Sequence, residues 1–537
     1  MLRLGREQAT CHQGDGAIMR LGGILLLAIS AIASQALWAQ GTTKAPSGIE
    51  AIISQPEFKH ARWGFLLADR RTGEVLESLE ADKLFVPAST TKLFSCAAAI
   101  HAIGPNFRFQ TPVFKRGRLD EAGTLKGDLV LVASGDPTMG GRTTPEGKIA
   151  FRSSDHTYEG TDVLTDTDPL AGLDSLARQV AERGIKLVDG EVYIDDRLFK
   201  PVESTGSGPK RVWPITINDN VIDIIIHPSE PGVAARVEAR PLSKRISVDA
   251  DVLTVPSDQK DRLSIMTHEM GKVIVRGVIK APKLGEPAKP LVKMIEVDDP
   301  PAMARVLFIE ALHRAGVRTT ASIFAPHSSP EGLPTGFPDV DRLALLTSPP
   351  FSENIKLILK VSHNLHASQL PVQLALIAGK TSLDDGLRRQ GEILKSLGVP
   401  VESISFGGGA GGSPADLVTP SACVSLLRAM ASHPHAAAYR EAMPILGVDG
   451  TLVDSVDRES VAVGRVLAKT GTFWWNNAMN NRKVLTSKGL AGYLTTSRGR
   501  ELVFALYVNY VHLNQTEDRA KVGKTLGKIC ELWINAY

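Results

Sequence analysis

The sequence predicts an α/β protein of the α+β type, in which one catalytic domain is split by a large inserted α+β region. Helical patterns near both ends of the chain enclose a long stretch where short strand patterns alternate with turns and two helices. Three short motifs flank that stretch: Ser89-x-x-Lys92 precedes it, and Ser362-x-Asn364 and Lys469-Thr470-Gly471 follow it. With 537 residues, the chain is too long for a single hydrophobic core.

The N-terminus has the pattern of a secretory signal. Arg20 precedes the apolar run Leu21–Ala39, which ends in small residues. We therefore predict a signal peptide over residues 1–39, cleaved after Ala39 or Ala36, with Met19 as an alternative start and a retained membrane anchor as the alternative fate. No later stretch is long enough to span a bilayer. The mature protein is predicted to be periplasmic or secreted, with no stable membrane span.

Three segments are predicted after the signal. Residues 40–107 and 344–537 form the two parts of the catalytic domain, and residues 108–343 form the inserted region. In the first part we predict a strand over Trp63–Leu67, a turn over Arg70–Glu74, a strand from Val75 and a helix over Lys92–Ile103. In the inserted region we predict strands over Leu129–Val132, Leu187–Ile194, Ile222–Ile226 and Val273–Ile279, and helices over Leu170–Arg183 and Pro301–Gly316. In the second part we predict helices over Ile355–Leu359, Leu365–Ala378, Pro420–His433 and Ala520–Ala536, and a hairpin of Ala491–Thr495 with Leu502–Asn509.

Composition excludes some classes of function. Hydrophobic content of 43%, charged content of 22% and a net charge of +3 are ordinary for a globular protein and do not suggest nucleic-acid binding. Removal of Cys11 with the signal leaves Cys96, Cys423 and Cys530, which are too few for a complete disulfide framework. The first two of these lie in apolar helical patterns and are predicted core residues, although one pairing among the three remains open.

The first motif pairs a nucleophile with a base. Ser89 and Lys92, three residues apart at the start of a helix, face the same side, so the lysine amine can take the serine proton. The Ser89 N–H is a candidate oxyanion donor. Ser257-x-x-Lys260 has the same spacing, but no apolar helix follows it. We therefore predict Ser89 as the nucleophile and Lys92 as its base.

The second motif is more ambiguous, because Ser352-x-Asn354 competes with Ser362-x-Asn364. Ser352 starts a helical run, where serine is a natural N-cap. Ser362 ends that run, where a loop can present side chains to a cleft, and this favours it. We predict that Ser362 relays a proton to the leaving amine and that Asn364 holds the substrate amide, with the side chain of His363 pointing away.

The third motif follows the apolar run Val466–Ala468 and is predicted to lie on a strand. Lys469 and Thr470 would bind the terminal carboxylate of a substrate. Gly471 would let the substrate backbone approach the strand, and the Thr472 N–H would be the second oxyanion donor.

Other patterns do not support a cofactor or a metal. The glycines between Gly407 and Gly412 satisfy a dinucleotide-binding pattern, but Pro414 prevents a helix from starting directly after them. They are predicted to form a flexible loop beside the active site. His268-Glu269 begins a zinc-protease motif, but Lys272 stands where the second histidine belongs.

Together the motifs resemble those of penicillin-binding proteins and serine β-lactamases. The long interval between Lys92 and Ser362 resembles the D-alanyl-D-alanine carboxypeptidase/endopeptidase family, the class C low-molecular-mass penicillin-binding proteins. Further agreement comes from Phe85–Lys92, Gly127–Val132 with Gly135–Thr138, Asn218–Asn220 and Gly447–Gly450. The resemblance implies a penicillin-binding/serine β-lactamase-like transpeptidase domain and a serine-type D-Ala-D-Ala carboxypeptidase, with DD-endopeptidase activity open. Peptidoglycan stem peptides would be its substrates and β-lactams its inhibitors.

The chain departs from the family pattern in three places. His363 stands where the family has an acidic residue, the loop around Gly408–Gly411 lacks an acid and a serine, and the segment with Trp474 and Trp475 between the third motif and Leu490 is long. A penicillin-sensing or wall-binding module with little turnover is therefore one alternative, and a serine β-lactamase is another.

Overall fold

The structure, a computed structural model, describes residues 47–152, 156, 163–268, 271–514 and 518–537, which belong to one compact unit. The predicted signal peptide and Cys11 lie outside the described residues. The helices are α1 (Ser47–Ile53), α2 (Thr91–Ile103), α3 (Ala171–Glu182), α4 (Pro300–Arg314), α5 (Phe351–Val361), α6 (Asn364–Ile377), α7 (Leu383–Ser396), α8 (Pro420–Ala431), α9 (Ala436–Glu441) and α10 (Asp518–Ala536).

The strands run from the first described segment to the last helix. They are β1 (Arg62–Asp69), β2 (Val75–Leu79), β3 (Gln110–Leu119), β4 (Thr124–Val132), β5 (Leu187–Asp189), β6 (Val192–Asp195), β7 (Val202–Glu203), β8 (Arg211–Val212), β9 (Val221–His227), β10 (Arg236–Arg240), β11 (Ser247–Val255), β12 (Arg262–His268), β13 (Lys272–Lys280), β14 (Leu291–Glu296), β15 (Arg318–Thr319), β16 (Arg342–Thr347), β17 (Ile404–Ser405), β18 (Leu417–Val418), β19 (Val466–Asn477), β20 (Arg482–Thr495) and β21 (Glu501–Leu513).

The catalytic part is built on an antiparallel sheet in the order β19-β20-β21-β1-β2. Successive side chains of a strand point to opposite faces. Leu66 and Ala68 of β1 accordingly pack with α2, α5, α6 and α8, whereas Phe65 and Leu67 pack with α1 and α10. The sheet therefore joins residues from both ends of the described chain.

The helix α2 is buried along most of its length, which explains its composition. Residues 91–100 are buried, and they include the small residues Cys96, Ala97, Ala98 and Ala99, which allow neighbouring helices to approach. Gly104, with φ of 83°, ends the helix. The predicted helix over Lys92–Ile103 is confirmed, starting one residue earlier.

The inserted region has its own sheet, in the order β15-β5-β4-β3-β16 with β6 beside β4, covered by α3 and α4. Two three-stranded sheets, β10-β9-β14 and β11-β13-β12, pack against each other. The predicted strand Leu187–Ile194 is two strands, β5 and β6, separated by Gly190-Glu191. Because β3 pairs with β16, the predicted boundary at residue 343 falls inside a strand of the inserted sheet.

In the second part, the long segment with Trp474 and Trp475 belongs to a hairpin, because β19 and β20 stay paired from Val466 to Asn477. The terminal helix α10 packs Trp533 into the core. No helix in the described ranges is long and apolar enough to cross a membrane. Cys96, Cys423 and Cys530 are buried free thiols, so the pairing left open does not form.

Candidate active site

The serine of the first motif lies in a 3-10 turn, Ala88–Thr90, that leads into α2. Hydrogen bonds to the central sheet hold this segment: the Val86 N–H donates to Asn509 Oδ1 at 2.9 Å, and Ser487 Oγ donates to the Val86 carbonyl at 2.6 Å. Ala88 has φ of 47°, an unusual backbone conformation that this packing enforces. Ser89 is therefore presented on a rigid support.

Lys92 joins three parts of the chain at one nitrogen. Its side chain is fully buried, and Nζ donates to Ser89 Oγ at 2.8 Å, to Asn364 Oδ1 at 2.8 Å and to the Ala410 carbonyl at 2.6 Å. The distance to Ser89 Oγ lies in the range of direct proton transfer. The amine is thus positioned to activate the hydroxyl.

The second motif spans the junction of two helices. Ser362 ends α5 with a left-handed φ of 63°, and Asn364 is the first residue of α6. The structure therefore brings Asn364 of the favoured motif to Lys92. In the competing motif, Ser352 lies inside α5, whose N-cap is Pro350, so the N-cap expected at Ser352 is wrong. Ser257 lies in the connection between β11 and β12.

The third motif lies on β19, as predicted, at the edge of the central sheet. Lys469 is fully buried and its Nζ donates to the Thr470 carbonyl at 2.8 Å. The Thr470 hydroxyl lies 2.9 Å from the Thr451 hydroxyl, and Thr472 Oγ1 accepts from Lys488 Nζ at 2.9 Å. These contacts orient the polar side chains along one strand.

The backbone of β19 presents donors to the open edge. The Ala468 N–H donates to the Pro444 carbonyl at 3.0 Å, on the side away from β20. The pairing with β20 is regular up to Phe473, so the Thr470 and Thr472 N–H groups point to the same side as that of Ala468. An extended peptide can therefore add to this edge as a further strand.

Gly471 is required by this chain's own packing. A Cβ atom at Gly471 would lie 2.3 Å from the Pro87 carbonyl oxygen and 3.4 Å from Ala88 Cβ. The space that a side chain would fill thus belongs to the segment that carries Ser89. That Gly471 also lets a substrate backbone approach the strand stays a prediction.

The glycine-rich segment between Gly407 and Gly412 borders the site but is not a flexible loop. Gly408 to Gly412 are buried, and the Gly409 carbonyl accepts from Ser95 Oγ at 2.8 Å. Asp416 closes the segment by accepting from the Gly407 N–H at 2.8 Å and the Ser413 N–H at 2.9 Å. Burial raises the pKa of Asp416 to about 6, against the opposing effect of these hydrogen bonds and the charge of Lys92.

The inserted region forms one wall of the site. A Cβ atom on Gly208 would lie 3.0 Å from Asn364 Cβ, and one on Gly206 would lie 2.3 Å from the Gly412 carbonyl oxygen. Both glycines have positive φ, which makes this close approach possible. The segment around them therefore packs on the second motif and on the glycine-rich segment.

A buried polar cluster lies behind the second motif. His366 Nε2 lies 2.9 Å from Asp219 Oδ1, and His363 Nε2 lies 3.4 Å from Asp219 Oδ2. Arg142 Nη2 contacts the latter oxygen at 2.5 Å and His156 Nδ1 contacts it at 2.6 Å. Asp219, from the inserted region, thus lies next to His363. The family pattern has its acidic residue within the motif, at the position that His363 occupies here.

The charges of this cluster are set by burial and contact. Burial raises the pKa of Asp219, but the Arg142 guanidinium and the neighbouring histidines hold it well below its usual value. Burial lowers the pKa of His156, but its hydrogen bonds to Asp219 and Asp223 raise it to about 9. Burial and the nearby charge of His366 lower the pKa of His363 to about 3, so its imidazole is neutral at neutral pH.

Sequence reasoning missed the residues that join these motifs. The Ala410 carbonyl, Asp416 and Asp219 carry no catalytic pattern of their own. The run Asn218–Asn220 was one available signal, because three turn-forming residues between two apolar strand patterns indicate a special backbone. All three have positive φ between 50° and 57°.

Comparisons with known proteins agree with this geometry. The model of a family described as the D-Ala-D-Ala carboxypeptidase 3 (S13) family matches residues 46–528. The D-alanyl-D-alanine carboxypeptidase of Actinomadura sp. (strain R39) is 28% identical over 490 residues, covering 87% of this chain and 81% of the relative. The D-alanyl-D-alanine carboxypeptidase DacB of Haemophilus influenzae is 23% identical over 476 residues, covering 85% of this chain and 87% of the relative.

A solved structure shows the same fold. Penicillin binding protein 4 (dacB) from Haemophilus influenzae superposes with a TM-score of 0.65 at 21% identity, covering 89% of this chain and 97% of that chain. This likeness confirms the predicted α+β fold of the penicillin-binding type. Because the family model spans most of the sequence, the resemblance is also confirmed: this chain belongs to the D-Ala-D-Ala carboxypeptidase 3 (S13) family, a family of serine peptidases.

Proposed function

We propose that this chain cleaves the D-Ala-D-Ala bond of peptidoglycan stem peptides through an acyl-enzyme on Ser89. The observation that carries the proposal is the position of Lys92 Nζ, 2.8 Å from both Ser89 Oγ and Asn364 Oδ1. One buried amine thereby contacts both motifs. It contacts the first at Ser89 Oγ, the atom that must lose a proton.

The proposed reaction has two halves. With Lys92 in its neutral form, Ser89 Oγ attacks the carbonyl between the two D-alanines while its proton passes to the electron pair of Lys92 Nζ, and the oxyanion is held by the N–H groups of Ser89 and Thr472. The proton taken up by Lys92 passes through Ser362 to the leaving amine as the C–N bond breaks. Water then attacks the ester: its oxygen joins the acyl carbon, its proton goes to Ser89 Oγ, and the shortened peptide leaves as an acid.

Substrate binding is proposed to use the open edge of β19. Lys469 and Thr470 supply a positive charge and a hydroxyl for the terminal carboxylate, and Gly471 keeps the strand close to Ser89. Asn364 holds the amide of the penultimate residue. The Thr470 and Thr472 N–H groups pair with an extended peptide, in the manner of strand addition.

The cellular setting follows from the substrate. Peptidoglycan lies outside the cytoplasmic membrane, so we place the mature chain in the periplasm or outside the cell. The proposed division is a catalytic domain of residues 40–107 and 344–537, interrupted by residues 108–343. β-Lactams would acylate Ser89 and inhibit the enzyme, because they present a reactive amide to the same machinery.

The test uses two substrates and matched variants. The purified mature protein is incubated with a fluorescent penicillin and, separately, with a stem peptide ending in D-Ala-D-Ala. We expect labelling and release of D-alanine, both lost in Ser89→Ala and kept in Ser257→Ala, which changes the other Ser-x-x-Lys sequence. Labelling that survives Ser89→Ala would refute the proposed nucleophile.

The same assay separates the alternatives. Labelling without release of D-alanine would indicate a penicillin-sensing or wall-binding module, for which His363 in place of an acid is the supporting observation. Rapid turnover of penicillin would indicate a β-lactamase. Cross-linked stem peptides, offered in the same way, test for endopeptidase activity.

A further inference from the structure

The cluster behind the second motif brings together three groups that bind metal ions. Asp219 comes from the turn before β9, whereas His363 and His366 flank the start of α6. One ligand atom from each of them lies within 4.8 Å of the other two, and all three residues are buried. Their exposed fractions are 3%, 0% and 1%.

Three of the four ring nitrogens of these histidines have no hydrogen-bond partner among the described residues. Neither ring nitrogen of His363 makes a hydrogen bond, and Nδ1 of His366 makes none either. A buried polar atom without a partner destabilises the folded state, so such atoms call for an explanation. The rings of His363 and His366 are tilted by 50° with their centres 4.2 Å apart, and a nitrogen of each lies within 4.8 Å of an Asp219 carboxylate oxygen.

We propose that Asp219, His363 and His366 form a binding site for a divalent transition-metal ion of the zinc type. Ligand atoms about 2.0–2.2 Å from a tetrahedral zinc lie roughly 3.4 Å apart. His363 Nε2 lies 3.4 Å from Asp219 Oδ2, which equals that spacing, and His366 Nε2 lies 2.9 Å from the other oxygen, Oδ1, which is shorter than it. One carboxylate oxygen and two imidazole nitrogens are a usual ligand set for zinc.

The surroundings complete the site. A metal-ligating carboxylate is normally held by further hydrogen bonds. Here Arg142 and His156 hold Asp219 Oδ2, which leaves Oδ1 directed at His366. The charge of the ion would add to those of Arg142 and His156, and the carboxylates of Asp219 and Asp223 oppose them.

The ion would have a structural role. Asp219 belongs to the inserted region, and His363 lies between Ser362 and Asn364 in the second motif. A metal bond between them would hold the loop that presents Asn364 to Lys92. Because the site is buried, the ion is expected to enter during folding.

The test measures metal directly and is independent of the proposed catalytic activity. The full mature protein is refolded with Zn²⁺ or with chelator, dialysed and analysed for metal content. A second sample is refolded with Co²⁺, whose visible spectrum reports a tetrahedral nitrogen and oxygen site. We expect one equivalent of Zn²⁺, an intense Co²⁺ spectrum and a higher melting temperature than that of the chelator-treated protein.

Two variants locate the ion. His366→Gln removes a buried ligand and should weaken Zn²⁺ binding by about 100-fold or more. His433→Gln removes a partly exposed histidine, whose Nε2 lies 3.0 Å from Nδ1 of the exposed His101 and offers a competing surface pair. It should leave binding unchanged. If His366→Gln does not fold, the measurements on the wild type and on His433→Gln still decide whether the protein binds the ion and whether the surface pair holds it.

Three results would overturn the proposal. Folded wild-type protein without bound Zn²⁺ or Co²⁺ would show that the cluster is a metal-free polar network. Equal binding by His366→Gln would place the ion elsewhere, and loss of binding in His433→Gln would place it on the surface pair. Failure of penicillin labelling in protein that binds one Zn²⁺ would count against the proposed function only.

Discussion

Replacement of Gly471 by alanine should slow acylation of Ser89 while leaving the protein folded. The new Cβ would lie 2.3 Å from the Pro87 carbonyl oxygen, and real Cβ atoms essentially never approach closer than 3.0 Å. Pro87 cannot yield freely, because its carbonyl accepts from the Thr90 N–H at 3.2 Å and from Thr90 Oγ1 at 2.9 Å. The strand and the segment that carries Ser89 must therefore separate.

The size of the effect follows from that separation. Movement of Ser89 relative to Thr472 displaces the proposed nucleophile from one of its two proposed oxyanion donors. A misplacement of about 1 Å costs about 100-fold in rate. Overpacking of this kind also destabilises a fold by about 1–3 kcal/mol. We therefore expect a loss of about 100-fold in the acylation rate constant with a modest decrease in melting temperature.

The assay is the second-order rate of labelling by a fluorescent penicillin, with thermal unfolding measured on the same samples. Gly391→Ala is the matched control, because Gly391 lies in α7 with no atom within 4 Å of its added Cβ. That variant should acylate normally and gain up to about 1 kcal/mol of stability from helix propensity. Labelling of Gly471→Ala within about threefold of the wild-type rate would refute the argument.

Three further predictions concern the base, the glycine-rich segment and the core. Lys92→Ala should abolish penicillin labelling at neutral pH while Lys260→Ala retains it; full labelling of the first would contradict the role of Lys92 as base. Burial raises the pKa of Asp416 in the folded protein to about 6, above its ordinary value of 3.8, so the native state holds this proton more tightly than the unfolded chain. Its contribution to stability is complete below pH 4 and is lost as pH rises to 6, by up to about 3 kcal/mol. Denaturant unfolding should therefore show wild type losing stability relative to Asp416→Asn between pH 4 and pH 7, and a difference independent of pH would contradict this. Trp533→Ala should cost about 3–5 kcal/mol in the same assay, because Trp533 is fully buried between Phe65 and Phe504; a loss below about 1 kcal/mol would contradict the core position of α10.

Elements with a strong local pattern were predictable from the sequence. The helix α2, the strand β1 and the terminal helix α10 were placed within two residues of their starts and ends, because their apolar runs are long or periodic. The strands of the inserted region were found only in part. β3, β10 and β12 carry charged or polar residues at many positions and are recognisable mainly through their partners in the sheet.

The long hairpin of β19 and β20 shows that a long segment between the third motif and Leu490 does not by itself indicate a loop. The residues after Thr472 include Trp474, Asn476 and Asn477, a composition that suggests a loop. In the structure Trp474 is held under the charged groups of Lys483 and Arg519, with Lys483 Nζ 4.3 Å from the ring centre. These cation–π contacts and the pairing with β20 stabilise an extended arm.

The sequence by itself determined the local chemistry of this protein. The spacing of Ser89 and Lys92 places them on one side of a helix start, and the alternation of β19 aligns the Thr470 and Thr472 N–H groups. Only the tertiary structure decided what Lys92 contacts beyond Ser89 and which carboxylate faces His363. Those contacts join residues far apart in the chain. They depend on how the inserted region and the glycine-rich segment pack, which backbone geometry within one segment does not specify.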